Sequence, residues 1–473
     1  MTTMVQHAPS QAGLDWAYSE DIPGSRCGPD DGPWPRPYQI LEEEDIWREL
    51  RFLAKPQTFH FDTSRGWRAD SINFQPSPST RTQDRYVVKQ LEINGRQWSL
   101  TGVFDGHLGD VTVEHVSHHL PIIIQEFLQN AFENEPSRLS DPAFISQSFS
   151  RSITAFDKAI AGDVLNLFGG IEGLSNYTDA QIRQVINDQH RGGHNYTKAR
   201  LNMYGTTALV ALVDPDHNHL WIANVGDCKA ILVSPMEGDD WEINVLTTDH
   251  NGDNDAEVER VRQQHPDEPE CVVDRRVLGA LAPFRALGDT PFKQPPEFTR
   301  RILFNLLPGF HDTSPWEEFL ARNRTPPYIS SEPEITHYPL SQRKHSRPGP
   351  RFLILSSDGF SDLCSSEGQH KIITDWARHV VQESRNDNPL TGLFNSMSSA
   401  TTPESNINNI LPTYPLSPTL PTAPGAGQAS RNMALRLLRR ALGGEDRLSV
   451  SKVLTLDMDA AWIDDTAIVV QTL

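Results

Sequence analysis

The sequence is short of basic residues. Lys and Arg number 42 against 62 Asp and Glu, for a formal charge of −20. That deficit argues against a nucleic-acid backbone as main partner, because such binding is carried by Lys and Arg. It leaves carboxylates free to gather around a cation. Cysteine is scarce too. Cys27, Cys228, Cys271 and Cys364 are too far apart in sequence to suggest a metal knuckle or a redox pair, and read as free thiols of a reducing compartment. No apolar run approaches a membrane span in length, so no transmembrane segment is expected. The first residues lack the basic-then-apolar order of a signal peptide. Asp15, Glu20 and Asp21 all precede the first basic residue, Arg26, which makes a poor mitochondrial presequence.

What is present suffices for a sizeable core: 473 residues with 37% apolar side chains, though some segments must be solvated. Residues 1–36 are rich in Pro, Gly, Ser and acids without periodicity, and are expected to form a mobile tail. The remainder, 37–473, reads as one domain. Ile46, Leu50 and Leu53 stand at helical spacing within Pro37–Ala54. DRYVVKQLEI and QWSLTGVF read as strands joined by the Asn94-Gly95 turn. The next stretch, VTVEHVSHHLPIIIQEFLQNAF, is helical in both halves, with Pro121 starting a second helix or kinking the first. Residues 142–200 look mostly helical. Two β-rich runs then flank a polar DPDHNH turn, and RFLILSSD and TAIVVQTL complete the strands. A low-complexity insertion at about 385–430 is rich in Pro, Ser, Thr and Asn. The Arg-rich helix that follows, ending at a Gly pair, is expected on the surface.

Several strand-like runs deliver an aspartate at one end: Asp105 after SLTGVF, Asp227 after LWIANVG, Asp358 after RFLILSS, and Asp464 with Asp465 before TAIVVQTL. Any one of them is explained by local hydrogen bonding at a turn. Together they need more, because carboxylates brought close repel and burial raises their pKa values. A divalent cation removes that penalty. Oxygen-only ligands suit Mg²⁺ or Mn²⁺ better than zinc, and two such ions could activate a water and neutralise a phosphoryl group. Asp105-Gly106-His107 adds a carbonyl that can approach a metal and an imidazole that can protonate a leaving alkoxide. Asp358 and Asp362 share a face if a helix begins there. The cluster Glu114, His115, His118 and His119 reads as a solvated helix face rather than a zinc site. Arg285 is expected to reach substrate or to pair with Asp289 or another acid.

These residues resemble the metal-dependent protein phosphatases of the PPM family (type 2C). The resemblance runs in order through VFDGHLGD, YGTTALVAL, ANVGDCKAIL, TTDHN, RALGD, LSSDGFSD and DDTAIVV. The stretch from NGDNDAEVERV to RALGD, together with TPPYISSEPEIT and the Asp464-Asp465 pair, looks like the pyruvate dehydrogenase phosphatase branch. The resemblance implies an α+β fold, a four-layer α-β-β-α sandwich of two antiparallel sheets flanked by helices. It implies two Mg²⁺ or Mn²⁺ ions, with a third in some members. Asp105 matches the bridging carboxylate, Gly106 a carbonyl ligand, Asp358 and Asp464 ligands of the other ion, and His107 the general acid. Asp227 and Asp362 match positions for a further metal, and Asp84 the Asp of the family's first Glu-Asp motif. Two departures stand out: Gln83 replaces the usual Glu, and Ser79 stands where the wider family has a phosphate-binding Arg, for which Arg81 is a candidate substitute.

The implied activity is hydrolysis of phosphoserine or phosphothreonine in a phosphoprotein, with the E1 component of pyruvate dehydrogenase as candidate substrate. The implied address is mitochondrial; the acidic N-terminus disagrees with it, so either import uses an unusual signal or the protein acts elsewhere, in the cytoplasm. A regulatory pseudophosphatase, motivated by Gln83 and Ser79, and a phosphatase of small molecules are the alternatives.

Overall fold

A computed structural model describes residues 13–22, 24–32, 34–77, 80–138, 141–238, 240–308, 316–340, 349–364, 367–387, 431–456 and 461–473. The strand Ala208–Val213 shows how they are layered, for every one of its residues is buried. Successive side chains of a strand point to opposite faces, so a strand buried throughout needs a layer on each side. Leu209, Ala211 and Val213 pack with Ala69, Val103, Leu353, Leu355 and Val469, residues drawn from two sheets. Ala208, Val210 and Leu212 pack the other way, with Val113, Leu120, Phe149 and Ile153 of two long helices.

The first sheet runs Glu334–Pro339, His219–Val225, Ala208–Val213, Arg96–Phe104, Arg85–Ile93, with every neighbour antiparallel. The second runs Trp241–Val245, Lys229–Pro235, Phe352–Ser356, Thr466–Thr472, Trp67–Phe74, Gln57–Asp62, also antiparallel throughout. In Thr466–Thr472, Ala467 and Val469 face the first sheet. Ile468 and Val470 face a helical layer that supplies Ile46, Leu50, Trp376, Leu435 and Leu438. The architecture is therefore helix, sheet, sheet, helix, as the resemblance implied. A polar bridge crosses the middle of the sandwich: Gln471 accepts from Thr101 Oγ1 and donates to Ser99 Oγ, each at 2.9 Å. Both ends of the amide are satisfied, which makes the pair of bonds a registration point between the sheets.

Local chemistry sets the turns. Asn94 and Gly95 adopt φ of 52° and 69°, the pairing that matches strand twist in a two-residue hairpin. The DPDHNH turn closes on Asp214 Oδ1, which accepts from Asn218 and His219 backbone N–H at 2.7 and 2.6 Å.

Some expectations are corrected. The chain from residue 13 is not a loose tail: Leu14–Ala17 pairs antiparallel with Arg36–Gln39, and Ala17 and Ile22 are buried in the core. Composition hid this because the apolar residues enter singly, without a period; residues 1–12 lie outside the described residues. The helix expected over Pro37–Ala54 begins only at Glu43, after that strand. Its acidic first turn complements the helix dipole. Pro121 interrupts nothing, since Val111–Asn134 is one helix. The Arg-rich helix, Met433–Ala441, is not a surface helix. It buries Met433, Leu435, Leu437 and Leu438, and Arg439 pairs with Glu43 at 2.9 Å over the ring of Trp47. The 385–430 insertion lies outside the described residues beyond Asp387, where the helix starting at Gln369 ends.

Candidate active site

The aspartates singled out in the sequence stand where strands of both sheets end. Asp105 follows Arg96–Phe104, and Asp227 follows His219–Val225. Asp358 starts the helix Asp358–Leu363 beyond Phe352–Ser356, and Asp464 and Asp465 lead into Thr466–Thr472. Together with Gln83, Gly106, His107 and Thr207 they line one cavity of about 830 Å³. The lining also includes the apolar Leu278, Leu281, Phe292 and Phe319, and its arginines are Arg26, Arg276 and Arg322. Asp84 and Asp362 do not line this cavity.

The backbone around Asp105 is fixed from both sides. Its N–H donates to Thr207 Oγ1 at 3.1 Å, and its carbonyl accepts from Thr207 N and Thr206 Oγ1 at 2.9 Å each. Gly106 is required by space: a Cβ there would stand 2.7 Å from the Gln83 carbonyl and from the Val113 side chain. The same holds for Gly359, whose Cβ would meet the Asp465 carbonyl at 2.2 Å.

Crowding of like charge shows in the carboxylates. Burial lifts Asp84 to a pKa of about 8; a hydrogen bond with Ser357 opposes this, and Asp465 and Asp358 reinforce it. Asp84 is 1% exposed and accepts from Ala467 N–H at 2.9 Å, so it sits beneath the cavity floor. Asp105 is pushed well above the carboxylate range by burial, then by the charges of Asp84, Asp358 and Asp227. Asp227 rises to about 6 through burial and Asp358, partly relieved by Asn251. Asp362 is raised by burial and Asp358 against the pull of Arg26 and Lys229.

Among the described residues, no three His, Cys, Asp or Glu side chains already stand as a closed ligand group. Bare carboxylates repel, and the last pair is otherwise engaged. Asp464 is bonded to Arg26, while Asp465 accepts from Gln83 N at 2.6 Å and Gln75 Nε2 at 2.8 Å. The residues nonetheless fit a hard divalent ion. They offer carboxylates and a carbonyl oxygen, and two buried acceptors, Asp358 Oδ1 and Gln83 Oε1, have no hydrogen-bond partner among the described residues.

His107 lies on the short strand Gly106–His107. Gly205–Thr206 pairs with it on one side and with Leu287–Gly288 on the other. That three-stranded patch carries Asp289 to the ring, with His107 Nε2 at 2.8 and 2.9 Å from its two carboxylate oxygens. Burial alone would lower the His107 pKa. The charge and hydrogen bond of Asp289, helped by Asp227, outweigh it and raise the value. Gly205 leaves the room, as a Cβ would come within 2.0 Å of Asp289 Oδ2.

Asp289 and Arg26 are the site residues that sequence reasoning passed over, while Asp465 was noted as a strand-end aspartate without a role of its own. For Asp289 a signal existed in the Gly288-Asp289 step, both at positive φ, but it was read as a partner for Arg285. Arg285 instead bonds Glu257 at 2.6 and 3.1 Å. Arg81 does not substitute for a phosphate-binding Arg in the cavity; it pairs with Asp110 and Glu114 at 3.0 and 2.7 Å. Ser79 lies outside the described residues. His118 and His119 are exposed, and His115 is half-buried against Phe156.

Comparison with known proteins gives this geometry a context. Human mitochondrial [pyruvate dehydrogenase [acetyl-transferring]]-phosphatase 2 is 32% identical over 287 residues, which is 56% of this chain and 47% of that protein. The chain thus spans about half the length of that relative. The bovine mitochondrial phosphatase 1 of the same name is 36% identical over 185 residues, 38% of this chain and 33% of that one. Protein phosphatase 2C homolog C10F6.17c of Schizosaccharomyces pombe is 27% identical over 398 residues, 82% of this chain and 76% of that one. The family model for protein phosphatase 2C matches residues 81–386, a span that takes in Asp84, Asp105, His107, Asp227, Asp289 and Asp358. With more than half of its length matched, and with strand-end aspartates gathered at one cavity, the chain belongs to the protein phosphatase 2C family.

Proposed function

We propose that the chain is a metal-dependent phosphoserine/phosphothreonine protein phosphatase. The observation that supports this best is the convergence of Asp105, Asp358, Asp464 and His107 on one cavity. Asp105, the Gly106 carbonyl, Asp358 and Asp464 would hold two Mg²⁺ or Mn²⁺ ions. Asp227 and Asp362 would serve a third, and Asp84 would support the group from beneath. When bound, the ions supply an activated water and offset the charge of the phosphoryl group. The chain's own part is positioning and proton transfer. Asp289 holds the His107 ring through Nε2, which leaves Nδ1 for the departing serine or threonine oxygen.

The purified protein should hydrolyse a phosphopeptide with Mn²⁺ or Mg²⁺ and stop when EDTA is added. Full activity in Asp105→Asn or Asp358→Asn would sink the assignment. For the substrate we propose the phosphorylated E1 component of pyruvate dehydrogenase, and for the compartment the mitochondrion, on the strength of the relatives' names. Faster dephosphorylation of phospho-E1 than of a generic phosphopeptide supports this substrate, and equal rates argue against it. A tagged protein found only in the cytosolic fraction would remove the compartment.

A further inference from the structure

Arg26 reaches the cavity from an unexpected quarter. It belongs to the N-terminal segment, far in sequence from every other site residue, yet its Nη2 is bonded to Asp464 Oδ2. The segment is fastened on both sides of it. Gly24, at φ +65°, lies so close to Asp362 that a Cβ would be 2.9 Å from the Asp362 carbonyl carbon. Arg26 N–H donates to the carbonyl of buried Trp462 at 2.6 Å, and Ile22 is 4% exposed in the core. The backbone is thus anchored to the helix that carries Asp362 and to the loop that carries Asp464, with the guanidinium of Arg26 aimed at Asp464.

The other cations of the cavity are committed elsewhere. Arg322 is bonded to Glu270 and to the Leu278 carbonyl, and Arg276 to the Ala280 carbonyl. Arg26 bonds Asp464 through Nη2 alone, and its side chain is 53% exposed. Its Nε and Nη1 donors have no partner among the described residues. A guanidinium presents a planar fork that matches two oxygens of a phosphoryl group, and Arg26 is a lining arginine with donors left over, among the described residues, for one.

We propose that Arg26 is a substrate-binding residue whose guanidinium grips the phosphoryl oxygens of the phosphoprotein, so that the N-terminal segment completes the phosphate subsite. The inference rests on the phosphatase reading above. It makes the segment from residue 13 part of the active site rather than an accessory to the fold.

The test uses the full chain and the variants Arg26→Ala and Arg26→Lys, with thermal melts to confirm folding. Steady-state kinetics on a phosphopeptide with Mn²⁺ should show KM raised about 10- to 100-fold in Arg26→Ala, the range expected for losing charge-assisted hydrogen bonds, with kcat changed far less. Calorimetry with inorganic phosphate on the Mn²⁺-loaded protein should show a parallel loss of affinity, and Arg26→Lys should recover part of both. Unchanged KM and unchanged phosphate affinity in Arg26→Ala overturn the proposal. So does a variant that binds Mn²⁺ more tightly and turns over faster, since Arg26 would then be a mere counter-charge for Asp464. If the wild type hydrolyses no phosphopeptide, the phosphatase reading fails, and phosphate calorimetry still decides the role of Arg26. Phosphate that does not bind the wild type overturns that role as well.

Discussion

His107 Nε2 sits 2.8 and 2.9 Å from the two carboxylate oxygens of Asp289, a residue far along the chain and brought there by a three-stranded patch of very short strands. Asp289 is 3% exposed in its side chain, so its carboxylate is shielded from water and its bond to the ring is strengthened accordingly. Because Asp289 raises the His107 pKa, the imidazole keeps its proton to higher pH than burial alone would allow. A general acid works only while protonated, so activity should fall as pH rises through that value. In Asp289→Asn the alkaline limb of the pH–rate profile should move to lower pH. His107→Gln should lose about 10²- to 10⁴-fold in kcat, the usual share of a general acid. An unmoved alkaline limb in Asp289→Asn would separate the two residues functionally.

Gly205 tests the same contact through space alone. Its substitution by Ala places a methyl within 2.0 Å of Asp289 Oδ2, with no loss of any functional group. Overpacking of this kind costs about 1–3 kcal/mol. The variant should melt at lower temperature and lose activity in the manner of Asp289→Asn. Wild-type kinetics in Gly205→Ala would mean that the patch yields without disturbing His107.

The carboxylate cluster trades stability for ion binding. Asp105 is driven well above the normal range by burial and by Asp84, Asp358 and Asp227, so its ionised form opposes folding when no cation is present. Asp105→Asn should therefore raise the melting temperature of the EDTA-treated protein. In the wild type Mn²⁺ should raise that temperature by mass action, and in the variant this gain should shrink or vanish. Differential scanning calorimetry with and without Mn²⁺ reads both effects. A destabilised metal-free variant contradicts the account.

Acid sensitivity should arise partly at Glu257. Burial pushes this carboxyl up, but hydrogen bonds from Arg285 and Arg260 and their charges prevail and hold it at about 2, against 4.5 ordinarily. A depressed carboxylate contributes stability that is full above its unfolded pKa and is lost as pH falls through its folded one. The wild type should therefore exceed Glu257→Gln by about 2–3 kcal/mol at pH 7, with the difference shrinking between pH 4.5 and 2. Denaturant melts across that range measure it; a constant difference would place the contribution in packing rather than in charge.

Legibility in the sequence followed the reach of local chemistry. Asn94-Gly95 announces its hairpin because its two residues must adopt positive φ, and Asp105-Gly106-His107 announces a site because its residue types have few other uses together. The layered fold was read from family motifs, and it agrees with strands such as Ala208–Val213 that carry no polar face. Long-range partners stayed hidden. Nothing near Asp289 names His107, and nothing near Arg26 names Asp464, since both pairs are created by folding. The burial of Met433–Ala441 was missed for a related reason. Its arginines look solvent-bound until Glu43 and Trp47, from the other end of the chain, are seen to cover Arg439.

The strand Thr466–Thr472 lies between Phe352–Ser356 and Trp67–Phe74 and carries Asp464 and Asp465 at its head. On the ribosome, Asp105, Asp227 and Asp358 all emerge before it. Until it inserts, the second sheet is split in two, with unpaired edges on both halves, and the cavity lacks one side. A chain that stops short of residue 464 therefore has most of the acids and an enclosure open on one side. The centre therefore closes only once this one strand is seated between its two neighbours.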